Sequence, residues 1–116
     1  MIKIHNEKTL EERQNESKQM LTRYPGRVCI YVEKHRDCKI DGELSKKKFL
    51  IPEGIQVDQF IFMIRQKLVL KKEEALFFYV KNRLMTGTKP LSELYKKYKS
   101  KDNFLYVTYT SENCFG

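Results

Sequence analysis

Apolar residues recur along this chain in two rhythms, and the switches between them mark its elements. From Val57 to Leu68 the rhythm is helical: Val57, Ile61, Ile64 and Leu68 are spaced four, three and four residues apart and form one narrow stripe. The stripe predicts a helix with that face toward a core. At 100° per residue it leaves Phe60 and Met63 to one side, partly exposed unless a neighbour or a partner covers them. A shorter helix is predicted from Leu91 to Tyr98, with Leu91, Leu94, Tyr95 and Tyr98 inward. Near the start, Thr9-Leu10-Glu11-Glu12 has the form of a capping box, in which the Thr9 hydroxyl and the Glu12 carboxylate each satisfy a free backbone N–H. The helix it opens, from Leu10 to Arg23, has a sparse apolar face of Leu10, Leu21 and Tyr24 shared with Ser17, with Met20 to one side. Such a helix packs on a body already built.

The other rhythm is that of strands. Pro25-Gly26 ends the first helix, and the β-branched run Val28-Cys29-Ile30-Tyr31-Val32 follows. In Lys48-Phe49-Leu50-Ile51-Pro52, Phe49 and Ile51 share one face and Lys48 and Leu50 the other, and Pro52, lacking a donor, places the strand at a sheet edge. Ala75 to Val80 is continuously apolar, as for a strand covered on both faces, and Phe104 to Tyr109 is the last strand. The order helix, two strands, helix, strand, short helix, strand is an α+β pattern in which a four-stranded sheet wraps one long helix.

Composition narrows the possible chemistry. A chain of 116 residues forms one domain with one core. The charge of +8 invites phosphate. Yet the clusters Lys46-Lys47-Lys48, Lys71-Lys72 and Lys96-Lys97 are scattered and accompany no nucleic-acid-binding pattern, so no nucleic-acid partner is expected. Cys29, Cys38 and Cys114 are odd in number without CxxC spacing, which fits free thiols in a reducing compartment. No apolar run nears the ~20 residues that span a bilayer, and the first residues lack a signal-peptide core, so a cytosolic or nuclear site is expected. Cys29, His35 and Cys38 offer three ligands where a structural zinc takes four, so no metal is expected. With His5 and His35 the only imidazoles and no GxSxG, P-loop or HExxH pattern, the chain reads as a non-enzyme without a cofactor.

The stretches RYPGRV (Arg23 to Val28), KKKFLIP (Lys46 to Pro52), VDQFIFMIRQKL (Val57 to Leu68), ALFFYVKN (Ala75 to Asn82) and DNFLYVTYTSENCFG (Asp102 to Gly116) closely resemble, in order and spacing, the autophagy ubiquitin-like modifiers of the GABARAP and microtubule-associated light-chain type. The resemblance implies a ubiquitin-like β-grasp core over residues 25–116 with a flexible C-terminal tail, preceded over residues 1–24 by two helices, the first short. It implies that Gly116 is activated with ATP by a ubiquitin-activating-type enzyme, passed to a conjugating-type enzyme and joined to phosphatidylethanolamine. The protein would then be cytoplasmic, monomeric in solution, and on autophagosomal or related membranes when lipidated. A cysteine protease would process or delipidate that end. Whether Gly116 is natively last or exposed by trimming stays open.

The resemblance further implies that cargo receptors and adaptors dock through aromatic-x-x-aliphatic motifs, adding a strand beside the Lys48 to Pro52 edge. Glu16, Met20, Tyr31, Lys48, Leu50 and Phe104 would line the aromatic-anchor pocket. Phe49, Ile51, Pro52, Ile55, Phe60 and Met63 would line the aliphatic one, and Lys46 and Lys48 would meet acidic flanks. Cys29 departs from a proline common in the family's aromatic pocket, and Leu84-Met85 from a frequent Pro-Pro pair. Two alternatives are a ubiquitin-like modifier joined to a protein lysine and a ubiquitin-like adaptor domain that is never conjugated.

Overall fold

The computed structural model describes residues 3–38, 40, 42–68, 70 and 75–111; Cys114 and Gly116, and with them the expected tail, lie outside the described residues. One 3-10 turn, His5–Glu7, precedes helix α1, Leu10–Arg23. Both halves of the capping box form, with Glu12 N–H on the Thr9 hydroxyl and Thr9 N–H on the Glu12 carboxylate, each at 3.1 Å. Strands β1 (Arg27–Lys34) and β2 (Lys48–Pro52) follow, then α2 (Val57–Gln66), β3 (Phe77–Val80), β4 (Arg83–Leu84), α3 (Leu91–Tyr98) and β5 (Phe104–Thr110).

The five strands form one sheet in the order β2-β1-β5-β3-β4, with β1 and β5 parallel at its centre and the other pairs antiparallel. The fifth strand, β4, is two residues that return along β3 after a turn in which Lys81 and Asn82 adopt positive φ. β2 is an edge, as its terminal proline requires. Arg27 lengthens β1 by pairing with Pro52 of β2, and Glu33 and Lys34 lengthen it because the parallel register with β5 runs from Cys29–Phe104 to Lys34–Tyr109.

The sheet buries both faces. One packs on α2 in the main core, which includes Ile30, Phe49, Ile51, Phe60, Ile64, Leu105 and Val107. The other carries a smaller cluster of Cys29, Tyr31 and Phe104, covered by Met20 and Leu21 of α1 together with Leu50 and Tyr106. The inward stripe of α2 is Val57, Phe60 and Ile64, with Ile61 only half-buried. The expected core stripe is therefore corrected: Phe60, expected to one side of it, is fully enclosed, and Ile61 takes the flanking position. Both stripes satisfy the helical period, and the larger ring wins the core because it removes more apolar area from water. On α1, Ser17 is buried and donates its hydroxyl to the Asp102 carbonyl at 2.7 Å, while Leu10 and Tyr24, expected on the same inward face, stand exposed at the helix ends. Among the described residues no helix is long and apolar enough to cross a membrane.

Candidate peptide-binding site

The free edge of β2 has a definite hydrogen-bonding register. Val32 N–H donates to the Lys47 carbonyl at 2.8 Å, so the antiparallel alternation makes Val32–Lys47, Ile30–Phe49 and Val28–Ile51 the bonded pairs. Tyr31–Lys48 and Cys29–Leu50 are the non-bonded ones, and the backbone groups of Lys48 and Leu50 face away from β1, off the sheet. Among them, the Leu50 carbonyl accepts from the Arg27 guanidinium at 3.2 Å. An extended chain laid beside β2 would meet backbone donors and acceptors at alternate residues, the requirement for strand addition.

On the α1 face of this edge, Leu50 and Lys48 share a side with Cys29 and Tyr31. Met20, Glu16, Lys48 and Leu50 are half-buried, Tyr31 is 5% exposed and Phe104 has no exposed surface. Lys48 donates to both Glu16 oxygens, at 2.9 and 2.7 Å, and Lys8 donates to one of them at 3.0 Å. Burial alone would raise the Glu16 carboxyl, but the bonds from Lys48 and Lys8 outweigh it and hold the group below the usual carboxylate range. Cys29 lies at the back of this layer, its thiol pushed up to about 11 by burial and then by the charges of Glu16 and Asp102, so it is an inert small apolar group. On the α2 face, Phe49, Ile51 and Phe60 are buried in the main core, Ile55 and Met63 are half-buried against it and Pro52 is exposed. The expected residues thus fall on two sides of one edge. Phe104 and Phe60 lie beneath its surface, while Leu50, Met20, Ile55 and Met63 reach it.

His5, in the turn before α1, received no site role from sequence and is built into this region. Its ring stacks on Tyr31, with centroids 4.2 Å apart and planes at 20°, and meets Phe104 edge-on at 4.8 Å. The Tyr106 hydroxyl donates to Asp102, so its oxygen accepts from His5 Nε2–H, at 2.8 Å. That fixes the tautomer and leaves Nδ1 a bare acceptor. Nδ1 is 3.8 Å from a Glu16 oxygen, and it is the one buried side-chain N or O without a hydrogen bond among the described residues. Asp102, itself buried, also accepts from Arg13 Nε and Phe104 N–H, each at 2.9 Å, which ties α1 to the start of β5. Burial and the Lys48 charge push the His5 imidazole down to about 4. No spacing rule announces such a residue, because its partners lie on β1 and β5.

A mixed sheet with two central parallel strands, grasping one helix and carrying a helical extension on its other face, defines a ubiquitin-like protein. The model of the family described as "Autophagy protein Atg8 ubiquitin like" matches residues 12–116. Autophagy-related protein 8a of Arabidopsis thaliana is 38% identical over 115 residues, covering 99% of this chain and 92% of that protein. Autophagy-related protein 8B of Oryza sativa subsp. indica is 39% identical over 108 residues, covering 93% and 90%. The crystal structure of Trypanosoma brucei ATG8 matches with a TM-score of 0.84 at 34% identity, covering 95% of this chain and 94% of that one. The chain belongs to the Atg8 family of ubiquitin-like autophagy proteins.

Proposed function

We propose that this chain is an autophagy modifier that is conjugated through Gly116 to phosphatidylethanolamine and recruits aromatic-x-x-aliphatic motifs of cargo receptors and adaptors along the β2 edge. It is a substrate and a docking surface, not an enzyme. The family match runs through residue 116, which supports Gly116 as the acyl donor. A carboxylate does not condense with an amine unaided in water, so an activating enzyme with ATP and then the thioester of a conjugating enzyme must supply the driving force. A glycine suits that passage because it has no side chain to collide with a narrow channel. A cysteine protease acting on the same end completes the cycle. In this reading the membrane-bound form is held by the lipid of its adduct, and residues 1–24 form a helical extension on a ubiquitin-like core that begins at residue 25.

The single observation that carries the docking half is the free β2 edge, with Lys48 and Leu50 backbone groups directed outward between half-buried apolar side chains on both faces. A peptide strand there would seat its aromatic residue toward Leu50 and Met20 and its aliphatic residue toward Ile55 and Met63. Incubation with activating and conjugating enzymes, ATP and phosphatidylethanolamine liposomes, read by intact mass, tests the conjugation half. A lipid-sized increment is expected. An increment only when a protein acceptor is present would instead mean conjugation to lysine, and none at all would mean an unconjugated adaptor.

A further inference from the structure

We propose that this chain plugs its own aromatic-anchor pocket: the His5 imidazole occupies the ring surface that an incoming anchor would cover, and a docking peptide must displace the His5–Glu7 turn to bind. The proposal rests on the peptide-docking reading above. Tyr31 and Phe104 are the two aromatic rings at the base of that pocket, and His5 covers both. It lies flat on the first and edge-on to the second, so they retain 5% and no exposure. An anchor stacking there in the present arrangement would overlap the imidazole. The space next to it is open: a depression of about 490 Å³, lined by Ile4, His5, Tyr31, Lys46 and Lys48 among others, lies alongside the N-terminal end of β2.

The plug is secured incompletely, as a displaceable element must be. It is one turn of three residues, with Ile4 exposed beside it, and one of its two ring nitrogens has no hydrogen bond. Leaving a buried acceptor unpaired works against the closed arrangement and costs nothing once the ring reaches water. The contacts that favour closure are Tyr31 by stacking, Phe104 edge-on and Tyr106 by its hydroxyl, with Lys3 on Glu12 at 3.2 Å and Lys8 on Glu16 at 3.0 Å holding the two ends of the turn to α1.

Closure is linked to protons. The groups facing the ring are Glu16, Arg13 and Lys8 from α1 and its approach, Tyr31 and Lys48 from the sheet, and Asp102 and Tyr106 from β5 and its approach. Burial, Lys48 and Arg13 disfavour the imidazolium, and Glu16 and Asp102 only partly offset them, so the closed ring titrates at about 4. Released, it titrates near 6.5. A depressed value in the closed state means that closure is fully effective above the released value and is lost as pH falls between the two. From pH 7.5 to 5.5 the opening equilibrium gains about tenfold.

The test is calorimetry of an end-capped aromatic-x-x-aliphatic peptide lacking His and acidic residues, at pH 7.5 and 5.5. Glu16, held low by its lysines, stays ionised across this range. The wild type should bind up to about tenfold tighter at pH 5.5. His5→Ala should bind several-fold tighter than wild type at pH 7.5 and show no gain on acidification. Tyr106→Phe, which removes the hydroxyl that holds Nε2 and leaves Asp102 its bonds from Arg13 and Phe104 N–H, should also tighten binding at pH 7.5. His5→Ala binding no better than wild type, or keeping the full pH gain, overturns the plug. If no form binds peptide, the docking reading fails, and imidazole NMR of the free protein decides the plug separately. Titration near 4, in step with shifts of the Tyr31 and Tyr106 rings, supports closure. Titration near 6.5 without them overturns it.

Discussion

Leu50→Ala and Phe60→Ala separate the surface of the candidate site from its foundation. Both residues are expected in the docking pockets, but Leu50 is half-buried at the free edge while Phe60 has no exposed surface and packs among Val57, Ile64 and Phe49. Emptying the Phe60 site leaves a cavity in the main core and should cost about 3 to 5 kcal/mol. That is a large share of the roughly 5 to 15 kcal/mol that holds a domain together. Leu50→Ala removes atoms already half in water, so its folding cost should be near 1 kcal/mol. Its effect on binding should be larger, because a docked anchor would complete the burial of Leu50. Losing that contact is worth about 1.5 kcal/mol or more, at least tenfold in Kd. Urea unfolding gives the first quantity and calorimetry with an aromatic-x-x-aliphatic peptide the second. A folded Leu50→Ala protein whose Kd stays within about twofold of wild type would refute the assignment of the edge as the docking site.

Lys46 is exposed and lies 5.5 Å from the Phe49 ring, whereas Lys48 is already engaged by Glu16. Lys46→Ala should therefore cut the preference for peptides with acidic flanks several-fold at low salt, and the difference should vanish near 1 M salt in the same titration. Asp102→Asn should cost about 3 kcal/mol in urea unfolding, since a buried carboxylate holding Arg13, Tyr106 and the Phe104 N–H loses its charge. His5 is neutral in the fold and its folded value is depressed, so its contribution to stability is complete above about 6.5 and is lost as pH falls toward about 4. The melting temperature of wild type should accordingly drop more between pH 7 and 5 than that of His5→Ala.

What the sequence reveals here follows the range of the interaction involved. The capping box of Thr9 and Glu12 is complete within four residues and is found as read. The Lys48–Pro52 strand and its edge position follow from alternation and one proline. Helix α2 starts at Val57 as expected and ends at Gln66, two residues early, because Lys67 and Leu68 turn back onto the Ile64 and Arg65 carbonyls in tighter 3-10 bonds. The extension of β1 to Lys34 and the existence of β4 depend on partner strands that no local pattern announces. The choice of Phe60 over Ile61 for the core needs the shape of the sheet opposite. His5 is the clearest case: a polar residue in a polar stretch is buried because Tyr31 and Tyr106, distant in sequence, present a ring face and a hydroxyl to it.

Under the proposed function, joining a membrane through Gly116 and capturing peptides through the β2 edge are two separable acts of one chain. Vesicles containing phosphatidylethanolamine, incubated with the protein, its conjugating enzymes and ATP, then floated and probed with a fluorescent aromatic-x-x-aliphatic peptide, measure both together. Wild type should reach the vesicles and bring the peptide with it. Leu50→Ala should reach the vesicles without the peptide, and protein lacking Gly116 should bind peptide in solution yet stay off the membrane. Attachment that survives removal of Gly116, or peptide capture indifferent to Leu50, would overturn the proposed function.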